Sequence, residues 1–150
     1  LRIRADRGRD GAPGLQHPPR LERHPVLGRI LDLFPADRQS QIRTGLLFNL
    51  KAVVCQKLLP CIKPGIPRIP AVEVMIANPI IRELIANNEI PRIADVVGNA
   101  AEEGMQDFTG ALCKLVKDGF VEEKAAMEAA SNPEALRMAL QGFRVKGGIL

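Results

Sequence analysis

The sequence has no tryptophan and no tyrosine, and only five phenylalanines, so the usual base-stacking platforms of single-strand nucleic-acid binders are largely missing. Its two histidines, His17 and His24, both fall in the first 25 residues. From Val26 onward a histidine-based triad or zinc site is excluded by inventory. Three cysteines are too few, and odd in number, for a disulfide-built secreted scaffold, and they fit a reducing compartment better. No apolar run approaches the roughly 20 residues that cross a bilayer, and no secretory signal pattern is evident. There is no Gly-Lys dipeptide, hence no phosphate-cradling Gly-Lys-Ser/Thr loop.

What is present is enough for one domain or a piece of a larger one: 150 residues, 46% of them hydrophobic. The net charge of +4 is uneven. Six arginines against three acids lie in residues 1–25, and the remainder carries 15 basic and 14 acidic residues. The body is near neutral and makes a poor nucleic-acid footprint.

Residues 1–25 have no hydrophobic period and are rich in Arg, Gly and Pro, which reads as a basic, unstructured tail. From Val26 the pattern turns helical: Val26, Leu27, Ile30, Leu31 and Phe34 recur on one face until Pro35. Asp37 is the expected cap of a second helix, with Ile42, Leu46, Asn49 and Leu50 on one side. Residues 50–59 read as a buried strand centred on Val53 and Val54. A proline-rich loop carries Pro60, Pro64, Gly65, Pro67 and Pro70. A second strand over Ala71–Ile76 would turn Val72, Val74 and Ile76 one way and Glu73 and Met75 the other. Asn78–Pro79 is a cap followed by a first-turn proline, and it opens a stripe of Ile80, Ile81, Leu84 and Ile85. Helices are expected from about Ile93 to Glu103, from Met105 to a stop at Gly119, over Val121–Ala130, and after a second Asn-Pro signal at Asn132–Pro133.

Few residues invite chemistry. Glu102–Glu103 and Glu122–Glu123 are adjacent acids, best read as solvated helix surface or helix start. Cys55 looks like a small core residue, and no metal-ligand spacing links it to Cys61 or Cys113. Gly45 in a helix interior costs about 1 kcal/mol relative to alanine. Arg82 and Glu83 read as a solvated face, or else as an interaction edge.

The stretch FPADRQSQIR, Phe34 to Arg43, follows VLGRILDL and precedes VVCQKLLP. Further on come AVEVMIANPIIRELI, GMQDFTGALCKLVKDGFV and SNPEALRMAL. These long, ordered motifs, covering Val26 to about Gln141, resemble the type IV pilus retraction ATPases of the twitching-motility (PilT) family, in the secretion-ATPase superfamily. The resemblance implies an α/β fragment: residues 26–76 as the last strands of a RecA-like P-loop core, and residues 77–150 as an all-α C-terminal portion. It also implies a cytoplasmic homo-hexameric motor at the inner-membrane pilus platform, with ATP and Mg²⁺ as cofactors of the intact family member. The family's retraction motif, approximately A-I-R-N-L-I-R-E, matches Ile80, Ile81, Arg82, Glu83, Leu84, Ile85 and Ala86. Ile80, Glu83 and Ala86 depart from it.

The family's phosphate loop, acidic boxes and histidine box would all lie upstream of Val26. Permitted codons for Ala5 to Arg20, read one base out of frame, spell R-T-A-A-E-T-G-H-L-V-F-S-T-L-H, the family's histidine box. Residues 1–25 are therefore expected to be a shifted reading, with a genuine basic tail as the alternative. The expectation for function is a retraction-motor fragment, inactive alone because it lacks the nucleotide-binding loop. The alternatives are a non-enzymatic helical module that docks on pilus or type II secretion motor subunits and, last, nucleic-acid binding through the tail.

Overall fold

Helix stop signals shape the start of the described chain. In the computed structural model, residues 25–143 are described, so the expectations for residues 1–24 and for the end of the chain lie outside the described residues. Helix α1 (Pro25–Asp32) buries Leu27 and Leu31, and helix α2 (Ala36–Asn49) follows Pro35. The cap differs from expectation. Pro35 occupies the N-cap without a side-chain bond, and Asp37 lies in the first turn, where its charge favours the helix dipole. Helix α2 has no fully buried residue, and Phe48 is 71% exposed.

Strands β1 (Ala52–Pro60) and β2 (Arg68–Ile76) form one antiparallel hairpin, from Ala52 opposite Ile76 to Pro60 opposite Arg68. β2 begins three residues earlier than expected and takes in Pro70, which was expected in the loop. The inner face carries Val53, Cys55, Lys57 and Leu59, opposite Met75, Glu73, Ala71 and Ile69. Thus Met75 and Ala71 are the buried residues of β2, and Val72, Val74 and Ile76 are only half-buried. β1 is likewise not a buried strand: Val54 is 65% exposed. The helices dock on one side of the hairpin, and that docking selects the buried face.

The helical remainder follows its punctuation. Asn78 accepts a hydrogen bond from the Ile81 N–H at 2.9 Å and opens α3 (Pro79–Ala86). The helix expected over Ile93–Glu103 breaks at Ala100, giving α4 (Ile93–Asn99) and a 3-10 turn at Ala101–Glu103. Met105 precedes the next helix as a buried core residue. Asp107 caps α5 (Phe108–Lys117) through the Gly110 N–H, and Gly119 takes a positive φ after it. Helices α6 (Glu123–Ala129) and α7 (Pro133–Leu140) are the last elements among the described residues, with Asn132 capping α7.

Two buried clusters result. One gathers Leu27, Met75, Ile81, Leu84, Ile85, Ile93, Val97 and Met105. The other gathers Leu59, Ala71, Ala111, Leu112, Cys113, Val121, Ala126 and Leu136. A fully buried Leu or Ile stabilises by about 1.5–3 kcal/mol over exposure, so each cluster is a substantial local core.

Candidate functional site

Helix α3 separates the seven motif residues onto three surfaces. Ile81, Leu84 and Ile85 are buried, at 0%, 7% and 1% exposure, and belong to the first core. Arg82 reaches back to α2: its guanidinium donates to the Leu47 carbonyl and, at 2.9 Å, to the Leu50 carbonyl. These are end-of-helix carbonyls without intrahelical partners, and a cation there also suits the helix dipole. Arg82 is thus half-buried and bonded to the end of α2 rather than part of a solvated face. Only Ile80, Glu83 and Ala86 face outward, and Ile80 is 52% exposed. Ile80 therefore stands outside the buried stripe into which the periodicity placed it.

A second feature lies along α2. A shallow groove of about 660 Å³ is lined by Phe34, Arg38, Ile42, Gly45 and Leu46, all from or next to the FPADRQSQIR stretch. A methyl group added at Gly45 would meet nothing within 4 Å, so this glycine does not serve a close approach. The half-buried Arg43 nearby has a buried Nε without a hydrogen-bond partner.

The acidic pairs have local roles. Glu103 accepts from the Asn78 side chain at 2.7 Å, and Glu122 and Glu123 mark the start of α6. Cys55 is half-buried, and the fully buried cysteine is Cys113. Desolvation, and then the Glu73 carboxylate opposite it, push the Cys55 thiol above its ordinary 9.0. Among the described residues no group of three or more His, Cys, Asp or Glu could hold a metal, and no helix is long and apolar enough to cross a membrane.

Sequence reasoning missed the Arg82 link, which is a tertiary contact across more than 30 residues. It also missed a charge partition hidden by the near-neutral total. Between Asp37 and Glu73 there are six basic and no acidic residues, whereas residues 73–143 hold twelve acids and six bases. That signal was readable segment by segment.

No family model matches the chain. It is 37% identical over 111 residues to a twitching motility protein of Neisseria gonorrhoeae, covering 74% of this chain and 29% of that protein. The type IV pilus ATPase PilU of Pseudomonas aeruginosa is 34% identical over 116 residues, covering 77% and 30%. The retraction ATPase PilT of the same organism is 32% identical over 109 residues, covering 73% and 31%. The crystal structure of the pilus retraction motor PilT with bound ADP superposes with a TM-score of 0.64 at 34% identity, over 77% of this chain and 32% of that one. The ATPase DotB of Legionella pneumophila shares the fold alone, with a TM-score of 0.55 at 13% identity. The chain spans about 30% of the length of the curated relatives it matches. Over the matched three quarters of its length, this chain belongs to the PilT-type family of type IV pilus ATPases and carries a segment of such an ATPase.

Proposed function

We propose that the chain is the C-terminal segment of a type IV pilus retraction motor, and that it does not hydrolyse ATP by itself. The observation that carries this reading is the joint sequence and structural likeness to the ADP-bound retraction motor. On this reading residues 26–76 close a RecA-like core and residues 77–150 form the helical portion. Its partners are the other subunits of a homo-hexamer and the inner-membrane pilus platform, on the cytoplasmic side. ATP and Mg²⁺ belong to the intact motor. Phosphoryl transfer rests on positioning and charge stabilisation around the phosphates, and this sequence offers neither a Gly-Lys loop nor, among the described residues, an acidic cluster for the metal. Purified chain, freed of contaminating ATPases, should show no turnover above background. Sustained turnover would sink the proposal of inactivity.

The exposed side of α3 favours a second reading, a helical docking module. Ile80, Glu83 and Ala86 are the outward-facing motif positions. In this reading Ile80→Asp abolishes co-purification with a full-length retraction ATPase and leaves the circular dichroism spectrum unchanged. Leu84→Ala is no test of docking, since Leu84 lies in the core.

A further inference from the structure

The hairpin's inner face changes character along its length. Val53 and Met75, opposite each other, pack with the first core. Leu59, Ile69 and Ala71 pack with the second. Between them stand Cys55 and Glu73, also opposite each other, and neither belongs to either cluster. A polar pair thus interrupts the apolar face at mid-strand. On the helical side the chain passes from the first core to the second over Gly104–Asp107. Gly104 has φ 82°, Met105 belongs to the first core, and Asp107 starts the first helix of the second. Gln106 pins this crossing to the edge of β2, exchanging backbone bonds with Val74 at 2.8 and 3.0 Å.

Helices α5–α7 and their connections are also tied to the far half of the hairpin. Lys57 Nζ donates to the Ala129 carbonyl at 2.8 Å and to Ser131 Oγ at 3.4 Å, and lies 4.6 Å from the centre of the Phe108 ring. The Ile62 N–H donates to the Phe120 carbonyl at 2.9 Å, and Lys63 Nζ sits 3.8 Å over the Phe120 ring.

We propose that the chain is a two-part conformational device. Helices α1–α4 and helices α5–α7 open independently of each other on a shared hairpin, uncoupled by the Cys55–Glu73 pair at its waist. Close-packed apolar side chains transmit strain, and a polar break in that packing interrupts the transmission. The inference does not depend on the motor reading.

Native-state amide exchange on the full chain tests it, with Ile81→Val and Leu136→Val as perturbations that each remove one methylene from one core. Ile81→Val should speed exchange in residues 79–99 by about two- to tenfold and leave residues 108–140 unchanged. Leu136→Val should do the converse. Should either variant fold poorly, Lys57→Met serves instead: it removes the tie to Ala129 and the contact with the Phe108 ring, both at the margin of the second core, and should speed exchange in residues 108–140 while leaving residues 79–99 unchanged. Equal acceleration of both halves by any of these variants would overturn the proposal.

Discussion

Arg82 on α3 holds the Leu50 carbonyl at 2.9 Å, and so ties α3 to the C-cap of α2. The same guanidinium also serves Leu47, so one side chain satisfies two otherwise open carbonyls. Arg82→Ala should cost about 1–3 kcal/mol, because both acceptors lose a charged donor. Arg82→Lys should recover only part of that, since a point-charge ammonium cannot reproduce the guanidinium fork. Chemical denaturation of the three proteins checks the order. A lysine variant as stable as the parent would show that charge alone suffices.

Asn78 has two jobs: its oxygen caps α3 and its nitrogen donates to Glu103. Asn78→Ala loses both and should cost about 1–2 kcal/mol. Asn78→Asp keeps the cap but sets one carboxylate against another. It should be less stable than the parent at neutral pH, through like-charge repulsion. Adding Glu103→Gln should restore the neutral-pH stability. Thermal melts of these variants at pH 7 separate the two jobs.

These caps show what could be read from sequence. Asn78–Pro79, Asn132–Pro133 and Gly119 act through neighbouring backbone, so local residue chemistry announces them. The FPADRQSQIR run gave the family for a related reason: residue order survives where three-dimensional contacts are unknown. The buried face of β2 was not legible, because both faces of that strand carry apolar residues and only the docked helices choose Ala71 and Met75. The split of the α3 motif was hidden too. Periodicity groups Ile80 with Ile81 and cannot see that Arg82 turns back to an earlier helix.

Gly45 lies inside α2 with open space where its Cβ would stand. Gly45→Ala should therefore stabilise the chain by up to about 1 kcal/mol, through helix propensity and a less flexible unfolded chain. The Asn49 side chain bonds the Gly45 carbonyl, which the substitution leaves in place. A lowered melting temperature would mean that the methyl group meets something in the groove beside Phe34 and Leu46.

Cys55 and Cys61 are both half-buried free thiols six residues apart, and Cys113 is buried. Burial, reinforced by the Glu73 carboxylate, raises the Cys55 thiol above 9.0. Thiolate is the reactive form, so Cys55 should lag Cys61 in alkylation at pH 8, with Cys113 slowest of the three. Glu73→Gln removes the electrostatic part and should speed Cys55 selectively. The linkage sign follows: the unfolded chain gives up this proton at lower pH than the folded one. The Cys55 contribution to stability is therefore complete below about pH 9 and is lost as pH rises through the folded value. Peptide-resolved alkylation rates against pH read both effects, and a Cys55 rate unmoved by Glu73→Gln would leave desolvation as the sole cause.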